Sequence, residues 1–269
     1  MIDYLKEAVQ KHSDEAFRYA ELREQLQLII LDIISKRGYF NNISFLGGTA
    51  LRIIYRIRRY SEDLDFSLQD SSNYEFPKMI ELTVKELELR GFEVDIKMKR
   101  SIGAVRSCFF RFKGVLHALG LSPLKDQKIA IKFEVDENPP TGFTTELSMI
   151  NEQVSFSISH FDLASAFAGK IHAILARQYT KGRDYFDLLW FLGRDIKPNL
   201  EFLNNGLKQT YDKDFDLNMD SLESMLIERI KETDYSLVCK DLEPFIMDPE
   251  SLKHYDEELF VTAIKRQFA

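Results

Sequence analysis

Apolar residues recur along this chain with two periods, and each period predicts a different kind of element. Helical spacing predicts a helix over residues 3–36 and a second over residues 75–90, which Gly91 ends. Strict alternation predicts strands instead, because successive strand side chains point to opposite faces. Five segments read this way: YFNNISFL, SEDLDFSL, FEVDIKMK, SCFFRFKG and QKIAIKFEVDE.

The pattern changes about 160 residues into the chain. Pro139 and Pro140 are expected to end the strand series, and DLASAFAGKIHAILARQ and RDYFDLLWFLG are then helical. A final helix is predicted to begin with Asp248 as N-cap and Pro249 at its first position, and to run to the end. We therefore predict an α+β fold, in which a mixed sheet with flanking helices (residues 1–158) packs against a C-terminal helical domain (residues 159–269). No Gly/Pro/Ser-rich linker separates these halves, so we expect them to share one cleft.

Composition narrows the class of protein. The chain has 269 residues, is 45% hydrophobic and 29% charged, and shows no apolar run near the roughly 20 residues of a membrane helix. The N-terminus lacks the apolar core of a signal peptide, and two cysteines are too few for a disulfide framework or a zinc site. We therefore expect a cytoplasmic protein that does not bind a membrane. A net charge of −7 argues against bulk binding of nucleic acid but leaves room for a local basic patch.

The segment FLGGTALRIIYRIRRYSEDLDFSL combines a glycine pair with two acids. Asp63 and Asp65 share one face of the predicted strand, which favours Mg²⁺ between them because this ion prefers oxygen ligands and substrate phosphates. Gly47 and Gly48 allow the backbone to approach a phosphate, and the helix that follows offers free N–H groups at its start. Thr49 could cap that helix or contact the phosphate. Singly, a surface Asp-x-Asp and a Gly-Gly turn are ordinary; their order makes them specific.

This order resembles the signature of the DNA polymerase β-like nucleotidyltransferases. GGTAL followed by RYSEDLDF is closer still to the AbiEii/AbiGii toxin family, which includes MenT-like toxins, and KIHAILARQYTKGRDYFDL resembles that family's second block. The resemblance implies catalytic, metal-binding carboxylates at Asp63 and Asp65, and a third on a later strand. Glu134 is the first choice for it and Asp136 the reserve, although both could lie on a solvated face.

Lys170 is a charged residue within an apolar helical stripe. It could extend its ammonium group to the surface, as buried lysine stems often do. The resemblance favours a catalytic lysine that reaches a triphosphate.

Two acids, Asp184 and Asp187, lie three residues apart in GRDYFDL and so share a helix face. Asp184 could be an N-cap, and Arg183 could pair with Asp187 on the surface. The resemblance places this block at the active site, with Asp184 catalytic and with Arg183 and Asp187 binding nucleotide. Their relative importance stays open.

A run of arginines precedes the acids: Arg52, Arg56, Arg58 and Arg59. It predicts a basic rim, usually only a solvated helix face, which could guide a polyanion; Arg59 is assigned to the nucleotide. Ser61 is assigned there too, and is a candidate for self-modification.

The resulting hypothesis is an NTP-dependent nucleotidyltransferase that uses Mg²⁺ or Mn²⁺ and transfers NMP to an acceptor hydroxyl. The resemblance implies the toxin of a bacterial toxin–antitoxin or phage-defence pair, with the tRNA 3′ end as acceptor and an antitoxin protein as partner. Two alternatives stay open: a protein or aminoglycoside-like acceptor, or a non-catalytic binding module on the same fold.

Overall fold

The computed structural model describes residues 2–100, 103–152 and 154–268, which form eleven α-helices and seven strands. The helices are α1 Ile2–Gln10, α2 Glu15–Lys36, α3 Gly47–Tyr55, α4 Phe76–Leu89, α5 Val115–Ala118, α6 Leu163–Ala176, α7 Gly182–Leu192, α8 Leu200–Tyr211, α9 Met219–Lys231, α10 Tyr235–Leu242 and α11 Glu257–Phe268. The strands are β1 Ile43–Leu46, β2 Leu64–Leu68, β3 Glu93–Met98, β4 Val105–Lys113, β5 Ile129–Asp136, β6 Thr145–Asn151 and β7 Ser155–Phe161. None of the described helices is both long and apolar enough to cross a membrane.

The strands form one mixed sheet in the order β3-β4-β5-β2-β1-β7-β6. The pairs β1·β2, β3·β4 and β4·β5 are antiparallel, whereas β2·β5 and β1·β7 are parallel. The predicted α+β fold with a mixed sheet and C-terminal helices is confirmed. Strand β2 lies at the centre of the order, and this places Asp65 between two hydrogen-bonded neighbours.

The contacts divide the chain into two compact units. The first comprises Met1–Tyr55, Tyr60–Asn138 and Leu147–His160, and it holds the sheet apart from two residues of β6 and one of β7. The second comprises Arg56–Arg59, Pro139–Glu146 and Phe161–Ala269. The short segment Arg56–Arg59 thus belongs with the helices of the second unit, although its neighbours in sequence belong to the first.

The core of the first unit lies on one face of the sheet. Strand β5 alternates buried and half-buried residues along its whole length, with Ile131, Phe133 and Val135 fully buried. Helices α2 and α4 supply further members of the same buried cluster. Because the alternation is strict, the other face of β5 carries Lys132 and Glu134.

Two predicted helices are interrupted. The helix expected over residues 3–36 breaks after Gln10, and α2 begins anew where the Asp14 carboxylate accepts a hydrogen bond from the Phe17 N–H. The final helix is also two pieces. A 3₁₀ helix covers Pro249–His254 and makes no side-chain cap bond with Asp248, and α11 begins only at Glu257.

The prolines do not end the strand series, contrary to the expectation. Strands β6 and β7 follow Pro139 and Pro140, and β7 pairs in parallel with β1. Leu147 and Met149 on β6 are exposed, so the inward apolar alternation that signals a strand is weak there.

Candidate active site

Asp65 lies between the last residue of β1 and a carboxylate of β5. In the register of the sheet, Leu46 is its partner on one side and Glu134 on the other. Directly opposite residues share a face, so Asp65 and Glu134 project together from strands about 4.8 Å apart. Leu64 and Phe66, which flank Asp65, are buried, whereas Asp63 is partly accessible. Asp65 is thus separated from the apolar face as predicted, whereas Asp63 lies just before β2.

The glycine pair forms the turn between β1 and α3, and it lies against Asp65. Gly47 has a φ of +80°, and a Cβ added there would lie 2.8 Å from Asp65 Oδ2. Glycine is therefore required twice, by the left-handed backbone and by the carboxylate. Helix α3 starts at Gly47, with Gly48 buried in its first turn, so N–H groups that have no partner within the helix lie near Asp65.

Two side chains fix the backbone that enters β2. The buried Gln27 amide on α2 donates to the carbonyls of Ser61 (3.2 Å) and Glu62 (2.9 Å). Thr49 does not cap α3 but lies inside it, and its hydroxyl donates to the Asp63 carbonyl. Sequence reasoning missed Gln27, although a glutamine within the apolar run of α2 is a signal of a buried polar contact.

Lys132 lies two residues before Glu134, on the same face of β5. Its ammonium donates a hydrogen bond to Glu134. Burial opposes its charge, but the bond to Glu134 and the charges of Glu134, Asp63 and Asp65 outweigh burial and raise the pKa of Lys132. The lysine therefore stays protonated and partly balances three negative groups.

The donor set suits Mg²⁺, which takes one or two protein carboxylates and completes its shell with substrate phosphates and water. Asp63 and Asp65 would hold it, with Glu134 opposite Asp65 on β5. Within the described ranges, no three His, Cys, Asp or Glu residues form a ready-made metal cluster.

The second block of candidates forms a buried ion-pair network in the second unit. Arg59 donates two hydrogen bonds to Asp187, from Nε to Oδ1 (2.7 Å) and from a terminal nitrogen to Oδ2 (2.6 Å). Both side chains are at most 1% exposed. Main-chain contacts secure the same segment, since Arg59 bridges to Ile246 and the Arg58 carbonyl accepts from the Met247 N–H.

Lys170 joins both acids of α7. Its ammonium lies 2.8 Å from Asp187 Oδ2 and 3.0 Å from Asp184 Oδ1, and Arg177 donates to Asp184 Oδ2 at 2.5 Å. Burial opposes the charge of Lys170, yet the two aspartates raise its pKa. Burial likewise opposes the charge of Asp184, but Lys170, Arg177 and Lys181 hold its pKa below the usual value. Lys170 and Asp184 are therefore both charged near neutral pH.

Two expectations about these charges are wrong. Asp184 is not the N-cap of α7, a position that Lys181 holds. Asp187 pairs with Arg59 and Lys170, whereas Arg183 lies over the Phe245 ring at 4.0 Å and 4.0 Å from Asp241.

The predicted basic rim is only half present. Arg59 is buried, and Arg52 donates to the Glu24 carboxylate at 2.6 Å and covers the Tyr60 ring. Arg56 and Arg58 are the exposed members of the run.

A family model described as "Nucleotidyl transferase AbiEii toxin, Type IV TA system" matches residues 29–260. The chain belongs to the AbiEii nucleotidyltransferase toxin family. The match includes both blocks, from the glycine turn and Asp63 to Lys170 and Asp187. The AbiEii family comprises nucleotidyltransferases of type IV toxin–antitoxin systems, so the expected family is confirmed and the chain is identified as a transferase.

Two solved structures share the fold. JHP933 from Helicobacter pylori has a TM-score of 0.56 at 22% identity, with 92% of this chain and 91% of that chain covered. A protein from H. pylori described as a candidate nucleotidyltransferase has a TM-score of 0.57 at 21% identity, covering 95% and 96%. No curated protein matches this AbiEii chain.

Proposed function

We propose that this AbiEii protein transfers a nucleoside monophosphate from an NTP to a hydroxyl of an RNA acceptor, with the tRNA 3′ end as the candidate substrate. The observation that supports the chemistry most strongly is the register of Asp65 with Glu134, beside a glycine turn that admits no side chain. This arrangement supports the proposal because carboxylate oxygens and the first turn of a helix lie close together at one point of the sheet.

In the proposed reaction, the acceptor oxygen forms a bond to the α-phosphorus while the bond to the bridging oxygen breaks and pyrophosphate leaves. Glu134 takes the proton of the acceptor hydroxyl, and the N–H groups at the start of α3 bind phosphate oxygens. Bound Mg²⁺, held by Asp63 and Asp65, would supply Lewis acidity and charge neutralisation. The protein's contribution is mainly positioning and a preorganised field.

The test is incubation of the purified chain with Mg²⁺, each α-labelled NTP in turn and total tRNA. The matched control replaces both metal candidates, Asp63→Asn and Asp65→Asn, which keeps shape and removes charge. Label in tRNA from the native chain alone supports the proposal and names the nucleotide. Label on protein would redirect it to a protein acceptor, and no label on any acceptor would refute nucleotidyl transfer.

The roles of Lys170, Asp184, Arg183 and Asp187 in nucleotide binding stay predictions. Because Lys170 bridges two buried acids, its removal can act through structure as well as through substrate. Lys170→Arg keeps the charge and Lys170→Met removes it. If Lys170 contacts the nucleotide, we expect both variants to have a raised KM for NTP. The melting temperature of Lys170→Arg should nevertheless stay that of the native chain.

A further inference from the structure

One aromatic side chain lies on the otherwise polar face of the sheet, close to the carboxylates. Strand β4 reads VRSCFFRFK, and its core face carries Cys108, Phe110 and Phe112, all fully buried. The opposite face should be polar by alternation, and Ser107 and Arg111 obey this rule. Phe109 stands between them on the polar face, and it is half-buried rather than buried.

The register fixes where Phe109 lies relative to the acids. Its partner on β5 is Lys132, and its partner on β3 is Lys97. Glu134 is opposite Ser107, so it is the diagonal neighbour of Phe109, about 7–8 Å away. Asp65 is the next position beyond Glu134 in the same row. The ring therefore lies within the span of one nucleotide from the acids.

The positions around the ring are charged or polar. Lys97 is exposed on one side, and Lys99 places its ammonium 4.8 Å from the ring centroid. The packing of the core does not explain Phe109, since its ring faces away from the buried cluster. An aromatic face among lysines is the pattern by which proteins bind single-stranded nucleic acid, where bases stack on the ring and ammonium groups attract phosphates.

We infer that Phe109 is a stacking platform for a nucleobase of the substrate, with Lys97 and Lys99 contacting phosphates. The inference rests on the proposed function for its placement. The base belongs either to the NTP or to the terminal nucleotide of the RNA acceptor, and both offer the same π face. Lys99, being exposed, is free to leave the ring as the base arrives.

The experiment uses tryptophan fluorescence, because the chain has a single tryptophan, Trp190. Phe109→Trp is titrated in EDTA with each NTP and with a short single-stranded RNA. The reporter control is Leu89→Trp, at an 81% exposed position at the end of α4, on the core side of the sheet. We expect the bases to quench the fluorescence of Phe109→Trp more than that of the native chain. The quenching of Leu89→Trp should equal that of the native chain.

A second variant separates the two sources of the base. Phe109→Ala should raise KM about 5- to 140-fold, the loss that corresponds to one stacked base. A rise for NTP alone assigns the ring to the nucleotide, and a rise for RNA alone assigns it to the acceptor. Phe109→Tyr keeps an aromatic ring and should restore KM. If Phe109→Ala acted only through a packing defect, KM would recover in Phe109→Tyr only together with the melting temperature.

The inference is overturned if the native chain transfers label while Phe109→Trp shows no added quenching and Phe109→Ala keeps both KM values within about twofold. If the native chain transfers no label, the proposed function fails, and the EDTA titration still decides base stacking independently. Circular dichroism of each variant shows whether the fold is retained.

Discussion

Arg59 and Asp187 form a buried, two-bonded ion pair although 128 residues separate them in the sequence. The pair anchors Arg56–Arg59 to α7 within the second unit, and the chain reaches Asp63 four residues later. Buried pairs of this kind are often no more stabilising than apolar residues, but removal of one partner leaves an uncompensated charge. The pair thus anchors Arg56–Arg59 within the second unit, and its loss from one side should be costly.

We therefore predict that Arg59→Met lowers the free energy of unfolding by about 3–5 kcal/mol. Urea denaturation measures the change. The double variant Arg59→Met, Asp187→Leu should recover part of the loss, because Asp187 no longer lacks its arginine, although Lys170 then keeps only Asp184 of its two acids. Lys85→Met, which breaks the exposed pair of Lys85 with Glu81, is the matched surface control and should cost below about 1 kcal/mol. If Arg59→Met lowered the free energy of unfolding no more than Lys85→Met does, the anchoring role would be contradicted.

The pH dependence of stability should report Asp184. Because its folded pKa is lowered, Asp184 stabilises the fold at pH values above its unfolded pKa of about 3.9, and the contribution is lost as pH falls through the folded value. We expect Asp184→Asn to be less stable than the native chain at pH 6 and to lose less stability between pH 6 and pH 3. Urea denaturation at both pH values measures this. Glu88→Gln, at an exposed position of α4, should behave like the native chain.

Local patterns predicted the parts of the site that neighbours in sequence create. Alternation placed Asp65 opposite the buried Leu64 and Phe66, and the glycine pair identified the turn at Gly47. These features depend on the period of a strand and the backbone freedom of glycine, which any short segment displays.

Long-range pairing could not be predicted in the same way. Arg59 appeared to be one of a run of surface arginines. The local sequence shows that it is charged, but not that it pairs in the interior with an acid 128 positions away. Thr49 similarly appeared to be a helix cap, although its hydroxyl binds the main chain of Asp63. Strand β6 was missed because Leu147 and Met149 point to solvent at the end of the strand order, where burial does not enforce alternation.

Alanine at Gly47 should lower both activity and stability, whereas alanine at Gly91 should lower stability alone. Both have left-handed backbones, with φ of +80° and +87°, so alanine at either costs about 1–2 kcal/mol of stability. The new Cβ at Gly47 meets Asp65, whereas a Cβ at Gly91 has no neighbour within 4 Å among the residues that the structure describes. We expect Gly47→Ala to lower kcat/KM for label transfer at least about tenfold, the effect of some 1.4 kcal/mol on the transition state. Equal activities of the two variants, at equal melting temperature, would show that the Gly47–Asp65 contact has no catalytic role.

Lys132 should oppose metal binding to the acids in the absence of substrate. Its ammonium hydrogen-bonds Glu134 and feels the charges of Asp63 and Asp65, so it repels a divalent cation at the same place. We predict that Lys132→Met binds Mn²⁺ about three- to tenfold more tightly than the native chain in calorimetric titration, since one unit charge a few ångströms away changes the binding energy by about 1 kcal/mol in a water-rich site. Lys128→Met is the matched control, because Lys128 pairs with Asp95 and lies six residues from Glu134, about 20 Å along the strand direction, where salt screens its charge. Weaker Mn²⁺ binding by Lys132→Met would mean instead that the lysine orders Glu134 for the metal, and it would reverse the role assigned to this residue.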